Sequence, residues 1–148
     1  MWVSLGAVRA VAACALGFED VRAIEVRQDL PSGVVGAHVA LVGERTCCQI
    51  GLVSTPNGCQ RLAKAFLEIH AATPGLLPGD LVDAVGEIVN IVAGCVKTRM
   101  APSDPTLRIG LPVFVSGVLE PSGAFVTEVA RLLIGDVDAH LVVARAVR

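Results

Sequence analysis

The 148-residue chain carries 12 Lys plus Arg against 14 Asp plus Glu, a formal charge of -2, and 53% of its residues are hydrophobic against 18% charged. So apolar a composition excludes a disordered chain. With no basic run and five aromatic residues (Trp2, Phe18, Phe66, Phe114 and Phe125), it also argues against nucleic-acid binding by phosphate neutralisation or base stacking.

The length suits one domain, residues 1–148, with a sizeable core. No apolar run approaches the ~20 residues of a membrane span, so no membrane insertion is expected. The cysteines, Cys14, Cys47, Cys48, Cys59 and Cys95, are odd in number and form no metal-spaced pair, so they read as buried free thiols of a reducing cytoplasm. "VAAC" ending at Cys14 loosely mimics a lipoprotein cleavage site, but no basic residue precedes it and Arg9 interrupts the apolar stretch, so a signal peptide is not expected.

In chain order, Val3, Ala7, Val8, Val11 and Ala15 fall at helical spacing and predict a helix over residues 2–16, stopped by Gly17. "VRAIEVRQDL" from Val21 predicts a strand, and Pro31–Gly33 a turn. "VVGAHVALVG" and "TCCQIGLVS" predict a buried hairpin joined across Gly43–Arg45, with His38 a strand residue rather than a ligand. Thr55 before Pro56 predicts a helix start, and the stripe Leu62, Ala65, Phe66 and Ile69 runs on to His70, placed to favour the negative end of the helix dipole. After Pro78-Gly79, Asp80 is the expected N-cap of a long helix that closes before Pro102. "TLRIGLPVFVSGVL" predicts a strand interrupted by Pro112, followed by two strands meeting at Gly135-Asp136. This order predicts an α+β fold, helices packed on an antiparallel (mixed) sheet, whose apolar character would suit a homodimer.

On the long helix, Leu81, Val85, Ile88, Val92, Cys95 and Val96 gather on one face and Asp83, Glu87, Asn90, Gly94 and Lys97 on the opposite one. Glu87 and Asn90, three residues apart, are neighbours. A carboxamide offers donors and an acceptor that suit holding a water in a chosen direction, and a carboxylate can bind a lysine, take a proton or take a metal. Metal binding is weakly supported, since Asp83, Glu87 and Asn90 leave most oxygen positions of a hard cation unfilled. Gly94 admits close approach of another backbone, while Gly86 and Ala93 are expected to allow tight packing on a neighbouring helix. On residues alone, a solvated polar stripe stands beside any functional reading, as does a pair satisfied within the protein.

"DAVGEIVNIVAGCVKTRM", preceded by "HVALVGERTCCQIGLVSTPNGCQRLAKAFL" and followed by "LRIGLPVFVSG", resembles the CheC/CheX/FliY chemotaxis phosphatases, and most of all their CheX-like single-site members. The resemblance rests on E-x-x-N followed four residues later by glycine, here Glu87, Asn90 and Gly94. It implies a phosphatase acting on the aspartyl phosphate of a response-regulator receiver domain, with Asn90 orienting the attacking water and Glu87 engaging the receiver. Asp83, Gly94 and Lys97 would then face the partner. It further implies a homodimer with two separate sites, no cofactor of its own, and Mg2+ held by the receiver. A non-catalytic receiver-binding adaptor or flagellar-switch relative is the alternative.

Overall fold

The computed structural model describes residues 21–27, 31–70, 72–116 and 123–146. The helix expected over residues 2–16, and Cys14 with it, lies outside the described residues.

Runs of mostly apolar residues build the central strands, with successive side chains turned to the two faces of the sheet. Strands β1 (Val21–Arg27), β2 (Val35–Val42), β3 (Cys47–Ser54), β4 (Arg108–Ile109), β5 (Val113–Ser116), β6 (Phe125–Ile134) and β7 (Val137–Ala146) form one sheet in the order β1-β6-β7-β3-β2-β4, with β5 also on β2. Every pairing among the described strands is antiparallel. The expected hairpin is present, β2 against β3 in unbroken register from Val35–Ser54 to Val42–Cys47. So is the turn at Gly135, whose φ of +62° is a left-handed value that costs glycine little.

The strand expected around Pro112 is divided. β4 pairs with Leu41 and Val42 at one end of β2, β5 with Val35–His38 at the other. Proline has no N–H to give a ladder, whereas the Gly110 N–H still donates to Ala40 O at 2.8 Å.

Helices α1 (Pro56–Phe66) and α2 (Pro78–Met100) cover one face of the sheet. Beneath them Ala37, Val39, Leu41, Ile50, Leu132 and Val143 are at most 1% exposed. Thr55 caps α1 as expected, its hydroxyl accepting from Gly58 N at 3.0 Å. The helix ends earlier than the apolar stripe implied: Glu68 turns left-handed at φ +58°, and His70 lies beyond the end, its Nδ1 accepting from Ala72 N. His70 therefore closes a local turn instead of meeting the dipole.

The N-cap of α2 is Leu77, not Asp80. Pro78 occupies the first helical position, where its fixed φ suits the helix and no N–H is needed. Asp80 falls in the first turn, where its charge still complements the dipole.

His38 is a strand residue, 3% exposed, and burial lowers its pKa below the ordinary value. Its ring lies over Gly51 on β3, where any Cβ would come within 2.2 Å of Nδ1. Four cysteines are described, all free: Cys48 and Cys59 are buried, with thiols pushed up to about 11, while Cys47 and Cys95 are only half-buried. The expectation of burial thus holds for two of the four.

Candidate functional site

Helix α2 decides the site because its two sides meet different surroundings. Val85, Ile88, Val92 and Val96 are buried in the core, as the helical projection requires, and Ala84, Val89 and Ala93 widen that face. Leu81 and Cys95 are half-buried at its margin. On the other side Asp83 and Glu87 are exposed, and Asn90, Gly94 and Lys97 half-buried. The structure therefore brings all five predicted residues onto one ridge. Glu87 and Asn90 are about 60° apart around the axis and about 4.5 Å apart along it.

Among the described residues the side chains of Glu87 and Asn90 make no hydrogen bond or ion pair. A pair satisfied within the described chain is thereby excluded, and both groups keep their hydrogen-bonding capacity for an incoming partner. A Cβ at Gly94 would meet nothing within 4 Å, so the ridge there is open, and the Gly94 carbonyl accepts from Thr98 Oγ1 at 3.0 Å.

Gly86 has a different neighbour from the one expected. A Cβ there would lie 3.4 Å from Pro112 Cβ, so it admits the connection between β4 and β5 and not a helix. That connection, Gly110–Pro112, therefore runs along the flank of the ridge.

At the C-terminal end of α2 sits Asp104, which the motif reading passed over. It is 1% exposed. Oδ2 accepts from Arg45 N at 3.0 Å, and Oδ1 accepts from Thr106 N at 3.1 Å and from the Thr106 hydroxyl, which in turn accepts from Glu44 N. The Thr106 hydroxyl first, then the backbone donors, hold its carboxyl below the usual carboxylate range against the opposing effect of burial. Gly43 completes the clamp, since a Cβ there would fall 2.5 Å from Asp104 Oδ2. The sequence signal was "SDPT", an aspartate two residues before a threonine, where an Asx turn forms. Its long-range partners, the turn residues Gly43–Arg45, have no local signature. Beside this clamp an open cleft is lined by Lys97, Glu44, Thr106 and Arg108.

Among the described residues no group of three or more His, Cys, Asp or Glu is placed to hold a metal ion, and no helix is long and apolar enough to cross a membrane. Neither the cleft beside Lys97 nor the one at the N-terminus of α1 includes Glu87 or Asn90. Glu87, exposed, and Asn90, half-buried, lie on the side of α2 turned away from the core, where a partner can reach them.

No family model and no curated protein matches the chain. Solved structures do. The chain is similar to chemotaxis protein CheX from Vibrio vulnificus at 19% identity and TM-score 0.73, covering 95% of each chain. It is similar to the chain in the CheX-CheY-BeF3-Mg2+ complex from Borrelia burgdorferi at 17% identity and TM-score 0.74, over 97% of this chain and 95% of that one. FliY from Thermotoga maritima follows at 16% identity and TM-score 0.62, over 95% and 83%. The fold is that of the CheC-like chemotaxis proteins. Within it, CheX is the form that recurs among these neighbours.

Proposed function

We propose that this chain is a CheX-like phosphatase that hydrolyses the aspartyl phosphate of a response-regulator receiver domain. The observation that carries the reading is the Glu87–Asn90 pair, uncommitted within the described chain and raised on one ridge of α2, in a fold for which a CheX-CheY complex is known. Phosphoryl transfer depends on positioning and charge stabilisation more than on covalent chemistry by the protein. Asn90, entering the receiver's active site, accepts from and donates to the attacking water and sets it in line with the phosphorus–oxygen bond that breaks. A carboxylate would repel a phosphoryl group at that position, so Glu87 pairs with a cation of the receiver and fixes the register of the helix. Asp83 and Lys97 extend the contact, and open space at Gly94 admits the receiver's loop. The Mg2+ belongs to the receiver, and this chain brings no cofactor. It acts in the cytoplasm as a homodimer whose two sites work separately.

The test is phosphate release from a receiver domain phosphorylated with acetyl phosphate in Mg2+, with this protein substoichiometric. Asn90→Ala is expected to lose roughly 100-fold or more of the stimulated rate, the scale of removing one transition-state hydrogen-bonding group. Full activity in that variant on several receivers would overturn the mechanism. A second reading, a non-catalytic receiver-binding adaptor or flagellar-switch relative, is favoured by the likeness to a chain of the FliG-FliM complex from H. pylori, at 10% identity and TM-score 0.56. It predicts binding without turnover in the same assay.

A further inference from the structure

The chain has two asparagines, Asn57 and Asn90, and Asn57 alone is followed by glycine. An Asn-Gly pair is unusually prone to deamidation, because a following residue without Cβ lets its backbone nitrogen approach the side-chain amide. Asn57 is exposed in the first turn of α1, two residues after the cap Thr55, and Gly58 beside it is buried.

Packing demands that glycine. A Cβ at Gly58 would fall 2.0 Å from Ser54 Oγ. Ser54 is 1% exposed and its hydroxyl donates to Asp138 O at 2.6 Å, so the neighbour is not free to give way. Asn57 is under no such demand. The first turn of α1 has no acidic residue, although a negative charge there would suit the positive end of the helix dipole. Conversion of Asn57 to aspartate supplies that charge one turn before Arg61, which pairs with Asp136 of the β6–β7 turn.

The folded helix opposes the reaction while its first turn is closed. The Gly58 N–H donates to Thr55 Oγ1 at 3.0 Å, and Cys59 N donates to Thr55 O at 2.9 Å. Ring closure needs the Asn57 backbone to leave the helical conformation and the Gly58 nitrogen to lose its proton. Both demands require this turn to open. Helix ends open more readily than the core beneath them. Reclosing outpaces so slow a chemical step, so the rate follows the population of the opened turn.

We propose that Asn57-Gly58 is a site of spontaneous deamidation and that the Thr55 cap gates it. In the opened turn the deprotonated Gly58 nitrogen attacks Asn57 Cγ. A nitrogen–carbon bond forms, the Cγ–Nδ2 bond breaks, and ammonia leaves with a proton returned by water, which gives a cyclic imide. One water then opens the ring. Cleavage at Cγ yields aspartate, and cleavage at the Asn57 backbone carbonyl carbon yields isoaspartate, with the chain routed through the side chain. The first product adds the missing charge to the start of α1. The second inserts a methylene into the backbone and breaks the spacing from Thr55 to Gly58. This site is independent of the receiver reading and of the Glu87–Asn90 pair.

The experiment holds the full chain in mildly alkaline buffer and follows the tryptic peptide of residues 46–61 by mass spectrometry, with aspartyl and isoaspartyl forms separated by chromatography. Wild type, Thr55→Val, Thr55→Ser and wild type unfolded in urea are compared, and circular dichroism reports which samples are folded. Thr55→Val is expected to convert about fivefold faster than wild type, the factor by which losing one N-cap raises the opened population of a helix start. Thr55→Ser, which keeps a capping hydroxyl, should convert at the wild-type rate, and the unfolded chain fastest of all. A folded Thr55→Val that converts no faster than wild type would overturn the gate. Equal rates in folded and unfolded wild type would overturn it too, and that comparison decides the matter should Thr55→Val fail to fold. Absence of product at Asn57 in the unfolded chain would overturn the site itself.

Discussion

Two carboxylates at different heights on and after α2 show opposite uses of the same group. Asp104 is enclosed, accepts from two backbone N–H groups and a hydroxyl, and ties the β2–β3 turn to the end of the helix. Glu87 is exposed, and its carboxylate meets no hydrogen-bond or ion-pair partner among the described residues. A buried charge whose two oxygens both accept hydrogen bonds contributes to the fold, and removing it strands the donors it served. An exposed charge with none answered contributes almost nothing to stability, and its worth lies in what it meets later. Polar residue type alone does not separate these cases; the supply of donors around each one does.

The sharpest way to break the contrast is to neutralise each acid in turn. Glu87→Gln is expected to weaken receiver binding about tenfold, the scale of one hydrogen bond to a charged group, with an unfolding free energy within about 0.5 kcal/mol of wild type. Asp104→Asn is expected to lower the thermal midpoint clearly while leaving turnover per folded molecule intact. Calorimetry and calibrated phosphate release on both variants decide the matter, and stability loss from the Glu87 change would erase the distinction.

Acid should act on the same contrast more gently. Because the folded Asp104 carboxyl lies below its ordinary value, its stabilisation is present above the unfolded pKa of about 3.9 and is lost as pH falls from there. His38, also held below its ordinary value, takes up protons more readily in the unfolded chain, so stability declines as pH drops below about 6.5. Denaturant midpoints measured from pH 7 to 3 should therefore fall in two stages. The upper stage should vanish in His38→Gln and the lower in Asp104→Asn.

The smallest effect concerns Gly94. With open space at its Cβ, Gly94→Ala should raise stability by up to ~1 kcal/mol through helix propensity, yet weaken receiver docking if that gap admits the partner's loop. Equal or tighter binding would show that the glycine is not kept for the partner.

Much of this was legible in residue order. Thr55 with Pro56 marked the start of α1, Gly135-Asp136 marked a turn, and the 3.6-residue period sorted α2 into two faces, because each of these is a short-range effect within a few residues. Reading failed where the deciding partner was remote. Asp80 has the look of a cap, but Pro78 is already inside the helix; Gly86 has the look of a helix-packing site, but it meets Pro112 of the β4–β5 connection; and Asp104 gives no hint of the turn at Gly43–Arg45, about sixty residues earlier. His70 misled for a local reason, since Glu68 leaves the helix before the apolar stripe does.

What the sequence determined by itself is the spacing: three residues on an α-helix make Glu87 and Asn90 neighbours wherever that helix goes. What only the tertiary structure decided is which side of the helix stays uncovered, what flanks it, and which acid is consumed by the fold. Spacing follows from backbone geometry, a property of the chain, whereas exposure follows from burial of the opposite apolar face against strands distant in sequence, a property of the packed whole.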